Sequence, residues 1–123
     1  MWLEARQAML LAKLRNGASA GTARTSLEIA TRGGAGCLGR EGEIGEIRIG
    51  AVGDIAVWSL TGPSFAGAIA DPVEGWLRCG PASAKHTVVH GRVVVRDGQL
   101  THPALDDMLK SHHLISSRIQ QLS

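Results

Sequence analysis

A chain of 123 residues, 44% of them hydrophobic, is long enough to build one domain with a real core. Its 13 Lys and Arg against 11 Asp and Glu leave a formal charge of +2, scattered along the chain instead of gathered into a run, and one Phe, three Trp and no Tyr offer few rings on which bases could stack. Nucleic acid is therefore not an implied partner. Glu4, Arg6 and Lys13 punctuate Met1 to Arg15, which therefore lacks the uninterrupted apolar stretch of a signal peptide and is not expected to be one. No segment approaches the roughly 18 to 20 apolar residues of a membrane helix, so no membrane partner and a cytosolic location are expected. Cys37 and Cys79 lie far apart in no CxxC pattern, which favours two idle or buried thiols in a reducing compartment over a disulfide or a metal pair.

Met1 to Asn16 reads as an amphipathic helix in which Leu3, Gln7, Leu10, Leu11 and Leu14 share one face, with Gly17 as its stop. Thr25-Ser26-Leu27-Glu28 has the spacing of a capping box and predicts a second helix starting there. The buried stripe of that helix should be Leu27, Ala30, Thr31, Gly34, Ala35 and Leu38. Gly33-Gly34 costs helix stability of about 1 kcal/mol per glycine, which makes sense if another backbone passes close by.

From Gly42 the period changes to 2: Ile47 and Ile49 alternate with Glu46 and Arg48, a turn spans Gly50 to Gly53, and Ile55 to Trp58 forms a second β-rich run. Two strands with a tight connection are expected. Ser59 to Ala84 is mostly loop, but Asp71-Pro72-Val73-Glu74 supplies a capping Asp, a proline at the first helical position and a reciprocal Glu, so a short helix should run to Cys79 and end at Gly80-Pro81. Lys85 to His90 and Arg92 to Arg96 form a hairpin about His90-Gly91, and Asp97-Gly98 is a further turn. Pro103 opens a last helix with Asp106 and Asp107 in its first turn and Leu105, Met108, Leu109, Ile115, Ile119 and Leu122 approximating one face.

Among five histidines, His86 and His90 are the closest pair that helical spacing would put on one metal. Their neighbours Thr87, Val88 and Val89 are strand formers, however, and a strand separates them by roughly 13 Å, against about 2 Å from a ligand to its zinc. His112 and His113 are adjacent on a helix and point about 100° apart. No GxSxG elbow is present, and neither cysteine has a histidine in its local motif. The glycine-rich Arg32 to Arg40 matches no phosphate-binding pattern, and the pairs Glu43/Glu46 and Asp106/Asp107 read as a solvated strand face and a helix start. No residue is assigned a catalytic, cofactor-binding or metal-binding role.

The ordered features say more. Leu27-Glu28-Ile29-Ala30-Thr31-Arg32-Gly33-Gly34-Ala35, Leu38-Gly39-Arg40, Ile44-Gly45-Glu46-Ile47, Gly50 and Gly53-Asp54-Ile55-Ala56-Val57-Trp58 together resemble the pattern that closes metal-dependent amidohydrolases, where the last barrel helix runs into "G-x-I-x-x-G-x-x-A-D-L". Val88 to Gly98 resembles that family's closing hairpin, "V-N-G-x-x-V-x-x-G". Glu4 to Arg15 is similar to the helix after the catalytic barrel strand in 8-oxoguanine, cytosine-type and hydroxyatrazine deaminases. Phe65-Ala66-Gly67-Ala68 with Asp71-Pro72-Val73 resembles an insertion of the 8-oxoguanine branch. The departures, Ala51, Gly53 and His90 where lysine, alanine and asparagine are usual, fall at turns.

The resemblance implies an α+β fragment: the last helices of a (β/α)8 barrel over 1–41, the C-terminal part of a small antiparallel β-sandwich over 42–101 with a short helix near 71–79, and a C-terminal helix over 102–123. It also implies Zn²⁺ or a similar divalent metal in the full-length family, where metal-activated water displaces ammonia from a purine, pyrimidine or triazine ring. The family's HxH pair, its further histidines and its last-strand aspartate have no counterparts in these residues. The expectation is therefore a C-terminal segment that starts just after that aspartate and is inactive alone. Its partner would be the N-terminal barrel portion or a second copy. A barrel of this kind takes about 250 residues. The competing expectation is a free-standing β-rich binding or assembly module without catalysis.

Overall fold

The computed structural model describes residues 1–122. In chain order it contains α1 (Trp2–Asn16), α2 (Ala23–Glu28), a π-helical stretch (Ile29–Gly33) leading into α3 (Gly34–Cys37), β1 (Ile55–Val57) and a 3-10 turn (Pro63–Phe65). There follow α4 (Pro72–Cys79), β2 (His86–Val89), β3 (Arg92–Arg96), β4 (Gln99–Leu100) and α5 (Leu105–Gln120). The fold class is α+β.

The core lies where α1, α2 and α4 meet. Ala5, Met9, Ala23, Trp76 and Leu77 are buried together, with Trp2, Leu27, Ala30, Trp58, Leu60 and Val73 packed around them. Small residues at Ala5 and Ala23 let the helices approach closely, and Met9 fills the space between them. Trp58 tilts over Trp76 with ring centroids 4.8 Å apart, and the Trp2 indole N–H donates to the Trp76 carbonyl at 2.8 Å. The burial on α1 differs from the leucine stripe that its sequence suggests. Trp2, Ala5 and Met9 face inward, whereas Leu3 and Leu14 are 68% and 82% exposed and Leu10 and Leu11 are also exposed. This helix has two apolar faces, and among the described residues only the one opposite the leucines has a packing partner.

The second helix begins three residues earlier than the capping box suggests. Thr22 is its N-cap, and the Thr22 hydroxyl accepts from the Thr25 backbone N–H at 3.1 Å. Of its expected stripe, Ala35 is buried and Leu38 is 68% exposed. Gly33 and Gly34 are not where backbones meet, since open space surrounds Gly34. The close approach is at Gly45, whose φ is +80° and where a Cβ would lie 2.6 Å from the Thr31 carbonyl oxygen.

For α4 the expected start is observed: the Asp71 carboxylate accepts from the Val73 and Glu74 N–H groups at 3.0 and 3.2 Å. Glu74 does not complete a reciprocal box. Its Oε1 instead accepts from the Ala23 backbone N–H at 3.0 Å, capping α2 from across the core, and its Oε2 pairs with Arg78.

The four strands form an antiparallel sheet in the order β1-β2-β3-β4, with Ile55 opposite Val88, Val57 opposite His86, Val88 opposite Val93 and Val95 opposite Leu100. A register shift interrupts β2 and β3 between Thr87 and Val88. The turns at His90-Gly91 and Asp97-Gly98 both place two consecutive residues at positive φ, +49° and +77° then +50° and +79°, matching the twist of a tight hairpin. The expected strand at Ile47 and Ile49 does not form; both side chains are exposed, and the segment holds only an isolated bridge between Glu41 and Ile44. A strand needs a neighbour, and this segment has none among the described residues. In α5 the acidic first turn is as expected, but no residue is buried, and Met108, Leu109, Ile115, Ile119 and Leu122 are exposed. No helix among the described residues is long and apolar enough to cross a membrane.

Candidate functional site

The histidines are dispersed into separate local contacts. His86, on β2, accepts at Nδ1 from the Asp97 backbone N–H at 3.4 Å, and its Nε2 lies 3.7 Å from the Asp97 carboxylate. His90 is a turn residue whose backbone N–H donates to the Asp54 carboxylate at 2.6 Å. The two therefore sit at opposite ends of an extended strand and engage different carboxylates. His102 accepts from the Ala104 N–H at 3.2 Å, and His112 and His113 meet edge to face with centroids 6.3 Å apart on exposed α5. Cys37 is exposed, Cys79 is half-buried, and both are free thiols.

The carboxylate pair Glu43/Glu46 lies on a loop rather than on a strand face, and each carboxylate has its own arginine: Arg40 to Glu43 at 3.0 Å and Arg48 to Glu46 at 2.9 Å. Arg48 also donates to the Gly42 carbonyl at 2.6 Å. These contacts close residues 40–48 on themselves, Gly45 approaches the Thr31 carbonyl of the π-helical stretch, and between them lies an open cavity of about 240 Å³ lined by Arg32, Ala35, Glu41, Gly42, Ile44 and Glu46. No histidine or thiol lines this cavity; its ionisable lining is Arg32, Glu41 and Glu46, the last of them paired with Arg48. Sequence spacing gave no sign of it, because Arg32 and Glu41 converge only through the loop closure at Gly45.

Zinc, which the amidohydrolase resemblance implies, does not fit the residues present. Among the described residues no three His, Cys, Asp or Glu side chains are grouped so as to hold a metal ion.

Two carboxylates titrate below their ordinary range. Glu74 is lowered first by its hydrogen bond to Arg78 and then by the Ala23 N–H, and Glu4 is lowered by its hydrogen bond to the chain's amino terminus. Both shifts arise at helix ends, and neither carboxylate lies near the cavity.

Comparison with known proteins places this architecture. The model of the amidohydrolase family matches residues 1–94. The chain is 37% identical over 119 residues to 8-oxoguanine deaminase from Pseudomonas aeruginosa, covering 97% of this chain and 26% of that protein. It is 32% identical over 99 residues to 5-methylthioadenosine/S-adenosylhomocysteine deaminase from Syntrophobacter fumaroxidans, covering 80% and 22%. Among solved structures, atrazine chlorohydrolase from Arthrobacter aurescens complexed with zinc matches with a TM-score of 0.78 at 31% identity, over 90% of this chain and 25% of that one. A zinc-bound adenosine deaminase from Xanthomonas campestris matches with a TM-score of 0.76 at 26% identity, over 98% and 28%. The chain thus spans about a quarter of the length of the relatives it matches. With its family model matched from α1 to within β3 and its fold shared with zinc-bound hydrolases and deaminases, this chain belongs to the amidohydrolase family.

Proposed function

We propose that this chain is the C-terminal segment of a hydrolase acting on carbon–nitrogen bonds of cyclic amidines, of the nucleobase and triazine deaminase type with 8-oxoguanine deaminase as its model, and that the metal and the proton-transfer groups of the reaction lie outside it. The observation that carries this reading is the asymmetry of the match: nearly all of this chain is similar to only 26% of the deaminase. In this reading α1 to α3 are the last helices of the barrel, β1 to β4 are part of the small sandwich beside it, and α5 closes the C-terminus. The dispersed histidines and the arginine-paired carboxylates support a segment that contributes scaffold and no chemistry.

The test is twofold. Purified without an affinity tag, the chain is expected to hold no zinc after dialysis against a chelator. It is also expected to release no ammonia above a buffer blank from 8-oxoguanine, isoguanine, cytosine or hydroxyatrazine. One equivalent of retained zinc, or ammonia release proportional to this chain alone, would overturn the reading. Sequencing the DNA upstream of the Met1 codon supplies the positive arm: an uninterrupted frame encoding an HxH pair and further histidines is expected, and a stop codon close upstream would favour the free-standing module.

A further inference from the structure

The helix α1 ends on Asn16, the only asparagine in the chain, and Gly17 follows it directly. Glycine stops the helix by leaving helical dihedrals, with φ at +92° and ψ at 167°. Leu14, Arg15, Asn16 and Gly17 are all exposed, and a Cβ built on Gly17 would meet nothing within 4 Å. Two hydrogen bonds hold this end. The Gly17 N–H donates to the Lys13 carbonyl at 2.9 Å, and the Lys13 ammonium reaches past the helix end to the Ala18 carbonyl at 2.7 Å. The lysine contact is open to water. This last turn therefore opens more readily than the turns that bury Ala5 and Met9 in the core.

The side-chain amide of an asparagine can close a five-membered ring on the backbone nitrogen of the next residue, and glycine alone puts no side chain in the way of that closure. We propose that Asn16 is a site of spontaneous deamidation in the folded chain, gated by opening of the last turn of α1. While the Gly17 N–H is bonded to Lys13, its proton is held and its nitrogen is fixed in the helical backbone. Once released, that nitrogen attacks Cγ of Asn16. A bond forms between them, the bond from Cγ to the side-chain nitrogen breaks, and the Gly17 amide proton leaves with that nitrogen as ammonia. Water then opens the cyclic imide at either carbonyl. Attack at Cγ restores the ordinary backbone and leaves aspartate; attack at the main-chain carbonyl leaves isoaspartate, whose chain runs through Cγ. The net change is amide plus water to acid plus ammonia. Either product places a carboxylate at the C-terminal end of α1, where free carbonyls and the helix dipole disfavour negative charge.

The test incubates the full chain for weeks in warm, mildly alkaline buffer and follows its intact mass. A first-order gain equal to the exchange of an amide for an acid is expected. Trypsin cuts after Arg15 and Arg24, so the gain should map to the peptide from Asn16 to Arg24, resolved into aspartate and isoaspartate forms. The ammonia appears without any substrate and stops at one molecule per chain, which separates it from enzymatic turnover. In urea, where the gate is removed, the same peptide should convert faster. Lys13→Met keeps the aliphatic stem and loses the Ala18 contact, and it should convert about 2- to 10-fold faster than the parent, the weight of one ordinary hydrogen bond. Asn16→Gln, which would need a six-membered ring, should hold its mass. A folded chain that keeps its amide while the urea sample converts, equal rates with and without urea, a Lys13→Met rate equal to the parent's, or a mass gain that maps to a glutamine-bearing peptide would each overturn the proposal.

Discussion

The carboxylate of Glu74 sits where two helix ends meet. It is in the first turn of α4, paired with Arg78 one turn on, and it accepts the Ala23 N–H that begins α2. A free N–H at a helix start must find an acceptor, and a charged acceptor also suits the positive end of the helix dipole. Replacing Glu74 with Ala removes both interactions and is expected to cost about 1 to 2 kcal/mol, read from urea unfolding at neutral pH. Glu74→Gln keeps an oxygen for Ala23 and loses the ion pair, so its cost should be smaller. The pH dependence follows from the direction of the shift. The folded carboxyl titrates below its unfolded value, so its stabilisation is present above the unfolded value and is lost as pH falls through the folded one. The parent should lose more stability than Glu74→Gln across that acid window; parallel acid limbs would show that the pairing with Arg78 contributes nothing.

At the scale of elements, the features legible in the sequence were those set by local backbone chemistry. Asp71 followed by Pro72 is a helix start whatever surrounds it, and His90-Gly91 and Asp97-Gly98 are hairpin turns because consecutive positive φ values suit glycine and its polar neighbours. The second helix start is ambiguous in the sequence because Thr22 and Thr25 both offer a capping hydroxyl, and the choice rests on where Glu74 arrives from a distant helix. The segment at Ile47 and Ile49 has the period of a strand, but alternation identifies a sheet-forming segment and not the presence of its neighbour. The cavity between Arg32, Glu41 and Glu46 was invisible for a related reason, since it is closed by long-range packing at Gly45. For α1, leucines outweigh alanine and methionine on any hydrophobicity scale, yet the core takes the smaller face because α2 and α4 pack close. This assignment is testable by truncation. Met9→Ala should cost about 2 to 5 kcal/mol, the range for a buried large-to-small change, whereas Leu14→Ala should fall within about 0.5 kcal/mol, as exposed positions do. Urea midpoints with an unchanged slope measure both, and a larger loss at Leu14 would mean that the leucine face is the core in solution.

At the scale of the whole molecule, apolar side chains without cover occur on every layer. They include Leu3 and Leu14 on α1, Ile47 and Ile49 in the connecting loop, Val57 and Val93 in the sheet, and Met108, Ile115 and Ile119 on α5. Scattered exposed leucines are ordinary in soluble proteins, but a continuous face on α1 together with an α5 that buries no residue is not scatter. If about 400 Å² of this surface were covered in the parent architecture, then at about 25 cal/mol per Å² roughly 10 kcal/mol of burial is forgone here. That is comparable to the net stability of a whole domain, about 5 to 15 kcal/mol. The sheet adds a second drive to associate: β1 and β4 are its edges among the described residues, and an open edge is a template for pairing with another chain. The isolated chain is therefore expected to self-associate in a concentration-dependent way without fixed stoichiometry, and to bind a dye that reports exposed apolar surface. A Leu3→Glu/Leu14→Glu variant should scatter less light and bind less dye at the same concentration, since it places two charges on the uncovered leucine face of α1. A monodisperse parent that melts cooperatively and binds no dye would show instead that these faces are covered within the chain, which is what a free-standing module requires and a segment of a larger enzyme does not.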